Sequence, residues 1–390
     1  MCSAAWNNNP IYIAFDGVEF GYTIWVNGKQ AGTFASAFNR QTFDISPYVL
    51  AGKSNTLAVK VITHPRGWEF DTNDDWALSG ISRNVTVFTL PKTHIKDVVV
   101  RTFVKPGNST INVSAAVEQV GSAKFSKGLK FTGQLLDATG KTVKEFEVNS
   151  TALQTDPKVL NFKGSVAIAN PKLWSAETPY LYTLKLSLIE NAVAIQKYTD
   201  KVGIRELSWD GGIFKLNGQA VKLRGATHHD LSPVNGRAIT EAEFKNDLKL
   251  MMRANMNFIR TSHYPPNIRL LELCDSLGIY VMDEVPYGYG DEILGDTTYL
   301  PILKIRAKAT IWRDKNRPCV VIWSVGNENP VTPIGIITGK YVRNLDPTRP
   351  YCFPQTPTVF ANMVAKMPDS LTMLDVHYPQ LDSLKKYATQ

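Results

Sequence analysis

The chain has 390 residues, more than one hydrophobic core usually encloses, so two or three domains are expected. With 44% hydrophobic and 20% charged residues it can bury a large interior, which excludes a disordered chain. The formal charge of +8 is scattered among 35 acidic residues with no basic run and no nucleic-acid motif, and no apolar run is long enough for a membrane helix, so neither nucleic acid nor membrane is expected as a partner.

The first two hundred residues are β-rich. Residues 22–34 and 55–64 alternate apolar and polar side chains, and Asn27-Gly28 is a hairpin-turn signal. Strands continue at 82–90, 97–104, 111–120, 129–137 and 179–190, with a turn at 137–140. Short strands at this spacing predict β-sandwiches, and Pro91 marks the seam between two of them. Past residue 209 the period changes. Residues 241–256 place Phe244, Leu248, Met251 and Met252 near helical spacing behind a capping box of Thr240 and Glu243. Further helices are predicted at 265–278, closed by Gly278, and at 302–314. Apolar strands at 221–229, 257–264, 279–286, 319–328, 351–356 and 371–379 alternate with them, which predicts a parallel sheet covered by helices. About six strands leave it two short of a TIM barrel. The domains read as 1–91, 92–208 and 209–390.

Cys2, Cys274, Cys319 and Cys352 form no CxxC pair, and three of them lie in apolar contexts as buried thiols. The opening MCSAAWNNNP shows no basic start followed by an apolar stretch, so no secretory signal is read there. Trp25, Trp174, Trp209 and Trp312 are expected in the core, and Trp323 beneath the site.

Chemistry gathers at the strand ends. His228 and His229, Arg260 and His263, Asp283 and Glu284, Asn327 and Glu328, and His377 and Tyr378 each close an apolar strand. In a barrel these ends converge on one rim around a ligand. Glu328 follows VVIWSVGN, so its carboxyl leaves a hydrophobic strand, and partial desolvation would suit a proton donor. Asn327 offers a donor and an acceptor to a sugar hydroxyl. Asp283 and Glu284 are expected behind this front row, orienting Arg260.

Residues 257–282 (NFIRTSHYPPNIRLLELCDSLGIYVM) and 314–328 (DKNRPCVVIWSVGNE) resemble the two signature stretches of glycoside hydrolase family 2. Residues 214–237 resemble the barrel entrance of its β-galactosidases, and 73–88 the end of its N-terminal jelly roll. The resemblance implies a partial jelly roll, an immunoglobulin-like β-sandwich and an incomplete (β/α)8 TIM barrel. It also implies retaining hydrolysis by two carboxylates about 5 to 5.5 Å apart. By motif match Glu328 is the general acid/base and Asn327 holds the sugar 2-hydroxyl. His229 and His263 match histidines lining the galactose pocket, Tyr378 a tyrosine beside the nucleophile, and Arg260 an arginine nearby. Asp74 aligns with an aspartate that contacts sugar hydroxyls, with Asp75 as its neighbour.

Gly288 and Gly290 stand where the magnesium-dependent members carry a Glu and a His, so no metal and no cofactor is expected. The nucleophile is expected at the end of a seventh strand, past Gln390, and the jelly roll reads as lacking its first half. The 390 residues alone are therefore expected to lack turnover. A small carbohydrate is the expected partner, with assembly into a homo-oligomer as the family often shows. β-Glucuronidase or β-mannosidase activity, or a non-catalytic carbohydrate-binding protein, are the alternatives.

Overall fold

The computed structural model describes residues 6, 8–72, 76–121, 124–151, 156–288, 293–329, 332–355, 373, 375–380 and 382. Near the N-terminus, two three-stranded antiparallel sheets face each other. One runs Gln41–Asp44, Ile11–Phe15, Val85–Thr89, and the other Lys29–Ala35, Gly21–Val26, Leu57–Ile62. Alternation decides what lies between them: Ile11, Ile13 and Phe15 from one sheet meet Tyr22, Ile24 and Val26 from the other. The Asn27-Gly28 turn closes its hairpin with both residues at positive φ, 50° and 79°, as a tight two-residue turn requires. Ile11–Phe15 and Gln41–Asp44 were not among the expected strands.

The middle sandwich has one sheet of Val193–Val202, Tyr182–Glu190, Leu129–Leu136 and Thr142–Ser150, and another of Val159–Ala169, Asn108–Gln119 and Thr93–Lys105. Thr142–Ser150 crosses between them, pairing Asn149 with Lys163 and Ser150 with Phe162. Phe131 and Phe162 meet across the core with ring centroids 5.5 Å apart. Three of these strands, 142–150, 159–169 and 193–202, escape a hydrophobicity reading because many of their side chains are exposed.

From residue 225 a parallel sheet forms with spatial order equal to chain order. Its strands are β1 (Gly225–His228), β2 (Phe258–Thr261), β3 (Tyr280–Val285), β4 (Val320–Val325) and β5 (Tyr351–Cys352). Helices α1 (Glu241–Arg253), α2 (Ile268–Leu277), α3 (Leu300–Asp314) and α4 (Pro333–Leu345) connect and cover them. Every residue of β3 and β4 is buried, as continuous apolar strands inside such a layer must be. A short parallel pair, Pro354–Gln355 with Asp375–Val376, supplies the sixth expected strand.

The capping box of α1 is present, with the Thr240 side chain accepting from Glu243 N and the Glu243 side chain accepting from Thr240 N. Helix α2 ends at Gly278 with φ 77°, where a Cβ would also come within 2.3 Å of Ala176 O on the middle sandwich. Two side chains differ from expectation. Met252 is exposed because the i, i+4, i+7 row of Phe244, Leu248 and Met251 already fills the covered face of α1. Trp312 is 40% exposed, with the Lys308 and Lys315 ammonium groups 4.7 and 4.9 Å from its ring centroid, whereas Trp174 and Trp323 are fully buried. Trp25 and Trp209 are half-buried. Cys274, Cys319 and Cys352 are free and buried. No described helix is long and apolar enough to cross a membrane.

Candidate active site

β4 is buried throughout up to Val325, and then Gly326 turns the chain at φ 85°. A Cβ there would lie 2.3 Å from Asn329 Oδ1 and 2.6 Å from Tyr287 O, so only glycine fits. Asn327 N donates to Tyr287 O and Asn329 Oδ1, Asn329 Nδ2 to Gly288 O, and Glu328 N to Pro354 O at 3.0 Å. Glu328 itself holds a left-handed backbone, φ 53°. The loop that presents Asn327 and Glu328 is thus tied to the segments following β3 and β5.

Arg260, at the end of β2, links three strands. Its Nε donates to Glu284 Oε2 (2.7 Å) and its Nη2 to Asn327 Oδ1 (2.8 Å), with His263 Nδ1 3.2 Å away. His263 Nδ1 also meets Glu284 Oε1 at 2.7 Å, and Ser324 Oγ donates to Glu284 Oε2 at 2.7 Å. Burial would raise the Glu284 carboxyl, but the Arg260 charge and the His263 hydrogen bond outweigh it and hold it below the ordinary carboxylate range. Burial works against the Arg260 cation too, and the Glu284 carboxylate reverses the balance, leaving it raised. With its oxygen committed to Arg260, Asn327 keeps a buried Nδ2 that has no hydrogen-bond partner among the described residues. A buried amide donor without an acceptor is costly, and a ligand hydroxyl would satisfy it.

His229 stands edge-on to His263 with ring centroids 5.4 Å apart, so the two expected pocket histidines are together. His228 points the other way, its Nε2 3.3 Å from Asp247 on α1. Glu328 Oε1 meets His377 Nδ1 at 2.8 Å. Tyr378 is 73% exposed, its ring 5.8 Å from that of His377. Asp74 and Asp75 lie outside the described residues, as does Gly290, while Gly288 offers no side-chain ligand.

Asp283 departs from expectation. Alternation along β3 sends it away from Arg260, to accept from Thr261 Oγ1 and face Asp314 on α3. Burial, with Asp314 adding to it, pushes its carboxyl well above the ordinary range. Glu284 alone of the pair orients Arg260.

The sandwich near the N-terminus braces this rim, which no strand-end pattern reveals. Arg83 Nη2 donates to Asp230 Oδ2 (3.1 Å) and Pro265 O (3.0 Å), tying together the loops that carry His229 and His263. Asp230 Oδ2 also accepts from Asn267 N at 2.7 Å. Phe38 stacks on Tyr264 with centroids 3.7 Å apart, and Tyr264 OH accepts the Asp230 N–H at 3.1 Å. The 200 Å³ cleft lined by Arg101, Arg205, Trp209 and Lys315 lies elsewhere, beside Pro318 where β4 begins.

Three domain descriptions of one family match the chain in order. They are "Glycosyl hydrolases family 2, sugar binding domain" at residues 2–91, "Glycosyl hydrolases family 2" at 93–205, and "Glycosyl hydrolases family 2, TIM barrel domain" at 208–390. The chain belongs to glycoside hydrolase family 2. Among its relatives are a β-galactosidase from Halalkalibacterium halodurans, 32% identical over 88% of this chain and 34% of its own length, and one from Priestia megaterium, 34% identical over 83% and 32%. This family 2 chain therefore spans about one third of the length of those relatives. A β-D-glucuronidase structure from Dictyoglomus thermophilum superposes with a TM-score of 0.79 at 25% identity, covering 96% of this chain and 67% of its own. A family 2 member from Bacteroides cellulosilyticus shares the fold with a TM-score of 0.86 at 24% identity, over 100% and 53%.

Proposed function

We propose that these residues form the acid/base half of a retaining glycoside hydrolase acting on terminal β-linked sugars, with β-galactosides the preferred class. The observation that carries the reading is the pair at the end of β4: a partly exposed carboxyl on Glu328 beside an Asn327 amide whose buried Nδ2 awaits an acceptor. In the first step Glu328 gives its proton to the glycosidic oxygen as the C1–O bond breaks. In the second its carboxylate takes a proton from the water that attacks C1. Asn327 Nδ2 donates to the sugar 2-hydroxyl, and His229 and His263 line the pocket. Arg260 and Glu284 hold Asn327 in place without touching substrate. No metal has a role in this proposal.

Retention needs a second carboxylate about 5 Å from the first. Glu284 is unsuited to attack, because both its oxygens are engaged by Arg260, His263 and Ser324. The nucleophile is assigned to no described residue. Kinetic tests then require a chain extended to supply that carboxylate. The β-galactoside preference is supported by curated relatives named β-galactosidases; the glucuronidase likeness makes β-glucuronides the second reading.

A panel of aryl β-glycosides assayed on the extended chain separates these readings. The expected result is fastest turnover of the β-galactoside, with the β-anomer of galactose as first product by NMR. First-formed α-galactose would contradict retention, and preferred cleavage of the β-glucuronide would replace the sugar assignment.

A further inference from the structure

We infer that His377 is a positioning residue for Glu328, fixing which of its two carboxyl oxygens exchanges the proton. The inference rests on the acid/base reading of Glu328 and deepens it. His377 Nδ1 lies 2.8 Å from Glu328 Oε1, and Nε2 lies 3.7 Å from Asp375 Oδ1, so a carboxyl stands on each side of the imidazole. The Glu328 side chain is 17% exposed and that of His377 14%, which keeps water from competing freely for the bond. Both partners are held by backbone. Glu328 N donates to Pro354 O, and Pro354–Gln355 pairs in parallel with Asp375–Val376, immediately before His377. One short strand pair therefore sets the distance between the two side chains.

The position of the hydrogen follows from the partners. With a hydrogen on Nδ1, His377 donates to Oε1 both when Glu328 is a carboxylate and when Oε1 is the carbonyl oxygen of the acid. With Nδ1 bare, the only bond between them would use the Glu328 proton and turn it away from substrate. The geometry thus makes Oε1 the anchored acceptor and leaves Oε2 as the reactive atom. In the first step the Oε2–H bond breaks and the proton passes to the glycosidic oxygen. In the second Oε2 takes a proton from water, and the His377–Oε1 bond persists throughout. Asp375 opposes the far edge of the ring, with Cys352 Sγ 3.9 Å from its other oxygen and the Arg260 and Glu284 charges acting on it. Tyr378 flanks the ring edge-on.

Long-range proton–nitrogen NMR of the six imidazoles in the 390-residue chain tests the geometry without any turnover. His377 is expected to carry hydrogen on Nδ1, with a hydrogen-bonded shift that Glu328→Gln retains, because its amide oxygen still accepts, and Glu328→Ala abolishes. A bare Nδ1, or a signal unchanged in Glu328→Ala, would overturn the inference. In the extended chain, His377→Leu should slow aryl β-galactosides with poor leaving groups by about 10- to 100-fold and dinitrophenyl galactoside much less. His377→Asn, whose side-chain N–H takes the place of Nδ1–H, should restore most of the loss. An equal loss for both leaving groups, with Glu328→Gln still discriminating between them, would overturn the positioning role alone. Failure of Glu328→Gln to discriminate would instead overturn the acid/base reading.

Discussion

At the scale of single residues, the site is organised around Glu284, which touches no substrate in the proposal. Its two oxygens collect Arg260, His263 and Ser324, and through Arg260 they fix the Asn327 oxygen. Removing one partner of a buried, hydrogen-bonded pair strands the other. Glu284→Gln is therefore expected to cost about 3–5 kcal/mol in a denaturant titration, far more than an exposed substitution such as Lys308→Gln. A loss below about 1 kcal/mol would show that the Arg260 cation finds another partner. Glu284, Arg260, His263 and Asn327 were legible in the sequence, because each belongs to the polar end of an apolar strand, whereas Ser324, inside its strand, was not. Which of two neighbours faces inward was not. Asp283 and Glu284 are equally acidic, and only the phase of β3 against its neighbours sends one to Arg260 and the other to Asp314. His377 was visible as a strand end, but its bond to Glu328 depends on the short pairing of two distant segments.

Among the elements, α1 couples a legible signal to one that was not. Thr240 and Glu243 cap it as their spacing predicts, yet the Glu243 carboxylate also binds the Ser232 hydroxyl in the loop that follows His229. The Ser232 bond, with the Thr240 backbone and hydroxyl, pulls the Glu243 carboxyl from 4.5 to about 2. A lowered value in the folded state means the contribution is present above 4.5 and lost as pH falls toward 2. Amide protection factors in the first turn of α1 and in residues 231–236 should fall together over that range. Glu243→Gln should remove the pH step, and protection factors that stay flat in the wild type would contradict the link. Thr240→Ala should cost about 1 kcal/mol, the usual worth of such a cap. The strands of the middle sandwich missed by sequence reasoning share one cause. In 142–150 and 193–202 one face is solvated and the alternation is diluted by Lys, Glu and Thr, so pairing with buried neighbours, and not their own apolarity, holds them in the sheet.

Across the whole molecule, the three domains are joined by buried charges. Arg306 on α3 donates to Asp71 Oδ2 (2.6 Å) and Gly67 O (2.9 Å), Arg83 reaches Asp230, and Arg317 pairs with Asp275 and Asp200. Such contacts make the sandwich near the N-terminus part of the site's frame, since Arg83 holds both histidine-bearing loops. Arg306→Met leaves the fully buried Asp71 without its cation and is expected to cost about 3–5 kcal/mol, with sandwich and barrel still unfolding in one transition. Two separated transitions in the wild type would show that the domains fold independently of this contact. The division into sandwiches followed by a parallel sheet was readable from the change of hydrophobic period near residue 209, but the docking between them was not, because arginines and aspartates that pair across domains look like ordinary surface charges in sequence. What that assembled frame presents is the Glu328 carboxyl. The most direct measurement is the dependence of kcat/KM on leaving-group acidity for aryl β-galactosides, in wild type and Glu328→Gln of the extended chain. The variant should lose about 10²- to 10⁴-fold on phenols with high pKa and little on dinitrophenol, giving a steeper slope. Parallel slopes, with the same loss across the series, would contradict Glu328 as the proton donor.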